Sequence, residues 1–196
     1  MTLILIVLIT LSLAAGEYAR ARIADNLGDS TPYETNRLTP NPLRHVDIFG
    51  SIILPLIILA ITDASIAIGY AKPVAVNPYY FKNPKKGTML VSLARPLINT
   101  ATAVISILLM KLTGGTFAGD LFFRYAVISI GLAIFNLMPI PGFDGFKIVT
   151  ALLPYETAHR HLKTRIIGII VILVIVLMGL PERFFSFLTG ALTGRI

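Results

Sequence analysis

The chain opens LILIVLITLSLAA, an almost unbroken apolar run, and its polar residues gather afterwards in blocks instead of striping one helix face. A helix apolar all round is expected to be buried or lipid-facing on every side, and about 20 residues carry it across the hydrocarbon layer. Five apolar stretches approach that length: 3–23, 49–70, 89–112, 122–138 and 166–188. They predict an all-α polytopic membrane protein forming a single integral domain over residues 1–196.

The polar blocks between these stretches predict loops lying over the membrane face. In residues 28–48, GDSTPYETNRLTPNPLRHVDI, Pro40 and Pro42 push their preceding residues toward extended backbone. In residues 71–88, AKPVAVNPYYFKNPKKGT, Val74 and Val76 alternate with small residues and the Asn-Pro steps invite turns. That pattern predicts a short interfacial extended hairpin. A Pro/Gly break at 139–145 is followed by candidate short helices over 146–153 and from Tyr155 to about Arg165. There is no internal repeat and no low-complexity tract.

Composition sharpens this picture. Hydrophobic residues make up 55% of the chain and charged residues only 14%, about half the charge of an average soluble domain. The first stretch lacks a basic region before it and is expected to be a retained span, not a cleaved signal. With no cysteine, disulfides, thiol catalysis and cysteine-ligated metal sites are excluded. The net charge of +7 comes largely from cations beside the spans, Lys72, Lys82, Lys85 and Lys86 in one loop and Arg160, Lys163 and Arg165 in another. Anionic headgroups of the lipid bilayer are the expected partner. No nucleic acid is expected, because the cations lie on no soluble recognition surface with stacking aromatics.

Several residues do not belong in hydrocarbon. Glu17 and Arg20 end the first stretch, Asp63 interrupts the second, and Arg95 and Asn99 sit in the third; Asn136 closes the fourth and Asp144 follows it. An isolated ion at the centre of a bilayer costs roughly 2.5 to 3.5 kcal/mol on insertion scales. These groups are therefore expected to face the protein interior and pair. Glu17 and Arg20, three apart, share one helix face, and Arg20 can also reach a carboxylate from another segment. An ion pair holding two helices together explains this much.

The segments NRLTPNPLRHVDIFG (36–50), GYAKPVAVNPYYFKNPKKG (69–87), ARPLINT (94–100) and FNLMPIPGFDG (135–145) occur in that order. In this the chain resembles the small bacterial-type members of the site-2 protease family, the M50-type intramembrane zinc metalloproteases, over about three quarters of its length. The resemblance implies a site-2-protease-like helical core. It also implies a first span carrying His-Glu-x-x-His, two imidazoles on one helix face holding zinc beside a glutamate base, with the Asp of an Asp-Gly step as third ligand. Carried over by position, the base falls on Glu17 and the third ligand on Asp144, while the two histidine positions hold Gly16 and Arg20. Glycine has no ligand atom and arginine only donors. Arg95 stands where the family has the glycine of an Ala-Gly-Pro step, and Asn99, Asn136, Pro139, Pro141 and Gly145 are the remaining cleft positions.

The expected cofactor is therefore none, with Arg20 and Arg95 bonded to the carboxylates that zinc would have balanced. The expected function is a catalytically inactive relative in the cell (inner) membrane that keeps a helix-binding cleft for a transmembrane partner or helical substrate. One alternative is an active zinc metalloendopeptidase with a rearranged ligand set, in which His45 of the Asn-Pro-Leu-x-His segment joins Asp144. Another is a small transporter or channel subunit using Glu17, Asp63 and Arg95. His159 and His161 are expected to meet solvent or headgroups. One topological condition follows. Three full crossings between Glu17 and Asp144 would leave them on opposite sides, so either one stretch fails to cross or one motif sits deeper in the membrane, and 49–70, with Pro55 and Asp63 inside it, is the weakest crossing.

Overall fold

The computed structural model describes residues 1–61, 69–153 and 179–193. Among the described residues three helices are long and apolar enough to cross a membrane: α1 (Thr2–Asn26), α4 (Pro84–Leu112) and α5 (Phe117–Leu137). The chain is a multi-pass integral membrane protein. A single turn, α2 (Thr31–Glu34), follows α1. A π-helical segment Ile48–Ile53 leads into α3 (Leu54–Ile61), α6 (Asp144–Leu152) follows α5, and α7 covers Leu180–Thr193.

Local chemistry sets the helix starts. Asn83 accepts the Lys86 N–H, with Pro84 in the first turn of α4, where its missing N–H costs nothing. Thr116 accepts the Gly119 N–H at the start of α5, and Asp120 complements the helix dipole there. The short link between them makes α4 and α5 antiparallel neighbours. Leu5, Ile9 and Leu13 of α1 pack on Leu121, Tyr125, Ile128 and Leu132 of α5 in one buried cluster, and the Tyr125 hydroxyl donates to the Leu8 carbonyl at 3.2 Å. Phe185 of α7 docks with Val127 on the opposite side of α5.

The stretch 49–70 does not count as a crossing. Its apolar helix, Ile48–Ile58, is shorter than a span among the described residues, and the two ends of the stretch meet. The Tyr70 N–H donates to the Gly50 carbonyl at 2.9 Å, and the Ser51 hydroxyl donates to the Tyr70 carbonyl at 2.9 Å. Thr10 on α1 donates to the Ser51 carbonyl, so protein covers this irregular backbone, as bilayers require. Two spans, α4 and α5, then separate Glu17 from Asp144, and both residues come to the same side. Asp63, the helix expected from Tyr155 to Arg165, His159, His161 and residues 166–178 of the fifth stretch lie outside the described residues.

The expected hairpin at 71–88 is corrected. Among the described residues no strand forms, and 69–77 is a single irregular pass along α1 that ends in a 3-10 turn at Pro78–Tyr80. Pro73 and Pro78 bring no N–H to a ladder, and the neighbouring backbone groups are taken by other segments. The Lys72 N–H donates to the His45 carbonyl, the Arg37 guanidinium donates to the Lys72 carbonyl, and the Val74 and Asn77 N–H groups donate to Glu17 and Asp29 at 2.7 Å each. Carboxylates thus perform the pairing that a second strand would have supplied.

Candidate functional site

α1 presents Glu17 and Arg20 from adjacent turns toward α4 and α6. Glu17 is fully buried and Arg20 is 5% exposed. α4 passes Arg95 across the same place, just before Pro96, whose missing N–H leaves the Ser92 carbonyl without its helical donor. Asp144 comes from the first turn of α6. Gly145 explains how it gets there: a β-carbon at 145 would stand 2.0 Å from the Leu137 carbonyl oxygen. Only glycine lets α6 start against the end of α5, and that contact turns the Asp144 side chain, 0% exposed, inward.

The carboxylates meet three cations. Glu17 Oε1 lies 2.6 Å from Arg95 Nε and 3.5 Å from Arg20 Nη1. Asp144 Oδ2 lies 3.4 Å from Arg95 Nε, and its Oδ1 lies 3.1 Å from Lys147 Nζ and 4.0 Å from Arg20 Nη1. The remaining Glu17 oxygen, Oε2, takes the Val74 N–H at 2.7 Å. Not every group is aligned. The Arg20 and Arg95 Nε atoms and Asp144 Oδ2 have no well-directed hydrogen-bond partner among the described residues, so Arg95 binds Glu17 by close charge contact. Burial raises the Asp144 pKa, but the Arg95, Arg20 and Lys147 charges together outweigh it and hold the carboxyl below its ordinary range.

His45 is buried in a different arrangement. Its Nε2 lies 2.9 Å from the Thr39 carbonyl, which can only accept, so Nε2 carries the proton. Nδ1 is then the acceptor facing Arg37 Nη2 at 3.5 Å, and the ring tilts against Tyr18 at 6.5 Å between centroids. Both nitrogens are occupied in folding the 37–45 loop against the 69–77 pass. Asn99 is buried and accepts the Ser12 hydroxyl, joining α4 to α1. Asn136 donates to Leu132 of its own helix. Pro139 is exposed and Pro141 half-buried in the break that leads to Asp144.

The sequence pattern missed Asp29. It is fully buried just past α1 and accepts from the Thr31 and Asn77 N–H groups. The available signal was the Asp two residues before Thr31, the spacing of a side-chain turn. The contact to residue 77 had no local sign.

The residues present do not fit a zinc ion. Gly16 and Arg20 offer no lone pair, Glu17 and Asp144 are engaged by cations, and a dication would enter beside two guanidinium groups and an ammonium. Among the described residues no group of three or more His, Asp or Glu side chains could hold a metal.

Residues 49–180 match the model described as peptidase family M50. A candidate zinc metalloprotease of Bacillus subtilis (strain 168), YwhC, is 33% identical over 181 residues, covering 87% of this chain and 78% of that protein. The candidate zinc metalloprotease Rip2 of Mycolicibacterium smegmatis is 26% identical over 183 residues, covering 89% of this chain and 67% of its own length. Rip2 of Mycobacterium tuberculosis (strain H37Rv) is 26% identical over 171 residues, 85% and 63% of the two chains. No solved structure matches the chain.

Proposed function

From the premise that the chain belongs to peptidase family M50, we propose that it is a catalytically inactive member, in which guanidinium groups stand in for zinc and a cleft for transmembrane partners remains. The observation that carries this reading is the state of Glu17. A general base for a metal-bound water needs a free oxygen near its target, and neither oxygen of Glu17 is free: Oε1 faces Arg95 and Arg20, Oε2 holds the Val74 N–H. Arg20 has donors only and offers no lone pair to a metal. The same carboxylates then serve as a buried tie among α1, α4, α6 and the 69–77 pass. With hydrolysis gone, binding of a helical membrane segment is the role left for the cleft.

Elemental analysis of the detergent-purified protein tests this. The expected result is well under half a zinc per chain, and no cleavage of a transmembrane peptide with zinc added. Stoichiometric zinc in the unaltered chain would overturn the proposal and restore an active metallopeptidase with a rearranged ligand set, His45 and Asp144 foremost.

A further inference from the structure

Gly16 and Arg95 are two separate departures from the family pattern in sequence, 79 positions apart; in the fold they occupy the same place. A β-carbon built on Gly16 would stand 3.1 Å from Arg95 Cγ, 3.5 Å from its Cα and 3.6 Å from its Cβ. The stem of Arg95 thus lies directly on the bare backbone of α1, and from there the side chain turns so that Nε reaches Glu17 and Asp144. A methyl group at 16 would already press on Cγ, and any larger side chain would branch from that same crowded point.

We infer that Gly16 and Arg95 are a matched pair sharing one side-chain volume: the missing side chain on α1 is the seat of the cation on α4, and a divalent-metal site cannot be rebuilt while Arg95 occupies it. The inference rests on the metal-position reading above and extends it to which residue bars the metal. Charge points the same way as volume. Arg20, Arg95 and Lys147 face Glu17 and Asp144, so removing Arg95 leaves two cations against two carboxylates. The deletion of the plug is electrostatically tolerable, whereas crowding it is sterically costly.

The test has a metal-free arm and a metal arm, both on full-length protein in detergent. In the first, Gly16→His lowers the folded yield several-fold, and adding Arg95→Gly restores it. The milder Gly16→Ala, whose gain in helix propensity is common to both backgrounds, is expected to leave Tm about 2–4 °C lower, relative to its parent, in the native background than beside Arg95→Gly. Normal yield and Tm for Gly16→His alone, or no rescue by Arg95→Gly, would overturn the pairing. In the second arm, zinc is measured in Gly16→His/Arg20→His with and without Arg95→Gly. Zinc is expected to approach one per chain only in the triple variant. Equal zinc in the double and triple variants would overturn the inference while leaving the metal-position reading intact. Zinc in neither, with rescue seen in the first arm, would keep the pairing and defeat the metal-position reading.

Discussion

Each half of α1 has a buried face, yet different forces hold the two. Leu5, Ile9 and Leu13 meet an apolar face of α5, and Gly16, Glu17 and Arg20 meet charges from α4 and α6. In water the first contact would be the stronger. In a bilayer, lipid tails are as apolar as leucine, so apolar helix faces gain close packing but little from leaving solvent. The charged half has no such alternative partner in lipid, and its groups must find one another. The lesson is that the apolar half lets the helices touch while the charged half fixes their register.

The largest test of that contrast is Glu17→Ala. It leaves Arg95 and Arg20 without their nearest carboxylate and orphans the Val74 N–H. Breaking a buried pair by removing one partner costs about 3–5 kcal/mol, so the folded yield should collapse. Glu17→Gln keeps an acceptor for Val74 and should recover part of it. Arg20→Ala should fall between the two, measured by monodisperse yield and thermal unfolding in detergent. Wild-type stability of Glu17→Ala would mean that the register is set elsewhere.

In the apolar half, Ile9→Ala should cost about 2 kcal/mol, the low end for such truncations in soluble cores, because packing alone is lost. If it destabilised the protein more than Glu17→Ala, the contrast would be reversed. Asp29 offers a finer comparison, since it holds the far end of the 69–77 pass with no cation on it among the hydrogen bonds described. Asp29→Asn keeps one acceptor oxygen and loses the charge, at about 1 kcal/mol. Faster hydrogen exchange at the Asn77 amide, with the Val74 amide unchanged, would show that the pass is pinned independently at its two ends.

How much of this was legible depended on whether a residue's partner could be inferred from a pattern. Glu17, Arg20, Arg95 and Asp144 announced themselves as charges in or just after apolar stretches, and the expectation that both arginines meet both carboxylates came with the family resemblance; in the structure each arginine lies within 4.0 Å of Glu17 and of Asp144. Bringing Glu17 and Asp144 to one side made 49–70 the weakest of the crossings, and a Tyr70-to-Gly50 hydrogen bond joins the two ends of that stretch. The irregular pass at 69–77 was misread as a hairpin because alternation says only that a backbone is extended, not what completes its hydrogen bonds. Here distant carboxylates do, and Asp29 carried no mark of that. Gly16 and Arg95 were each visible as departures, but their contact is a property of the helix crossing, which no local spacing encodes.

The smallest expected effect is a pH dependence, and it separates the two carboxylate roles. Arg95, Arg20 and Lys147 hold Asp144 below its ordinary pKa despite burial. A carboxylate lowered on folding contributes stability that is fully present above its unfolded pKa, near 3.9, and is lost as pH falls through the lower folded value. Thermal stability should therefore be level from neutral pH down to about pH 4 and drop below it. In Asp144→Asn the overall stability should be lower and the acid limb shallower, because the titrating group is gone. An unchanged acid limb would assign the drop to other carboxylates and leave Asp144 as a positional contact of α6, with Glu17 alone carrying the charge that orders the upper half of α1.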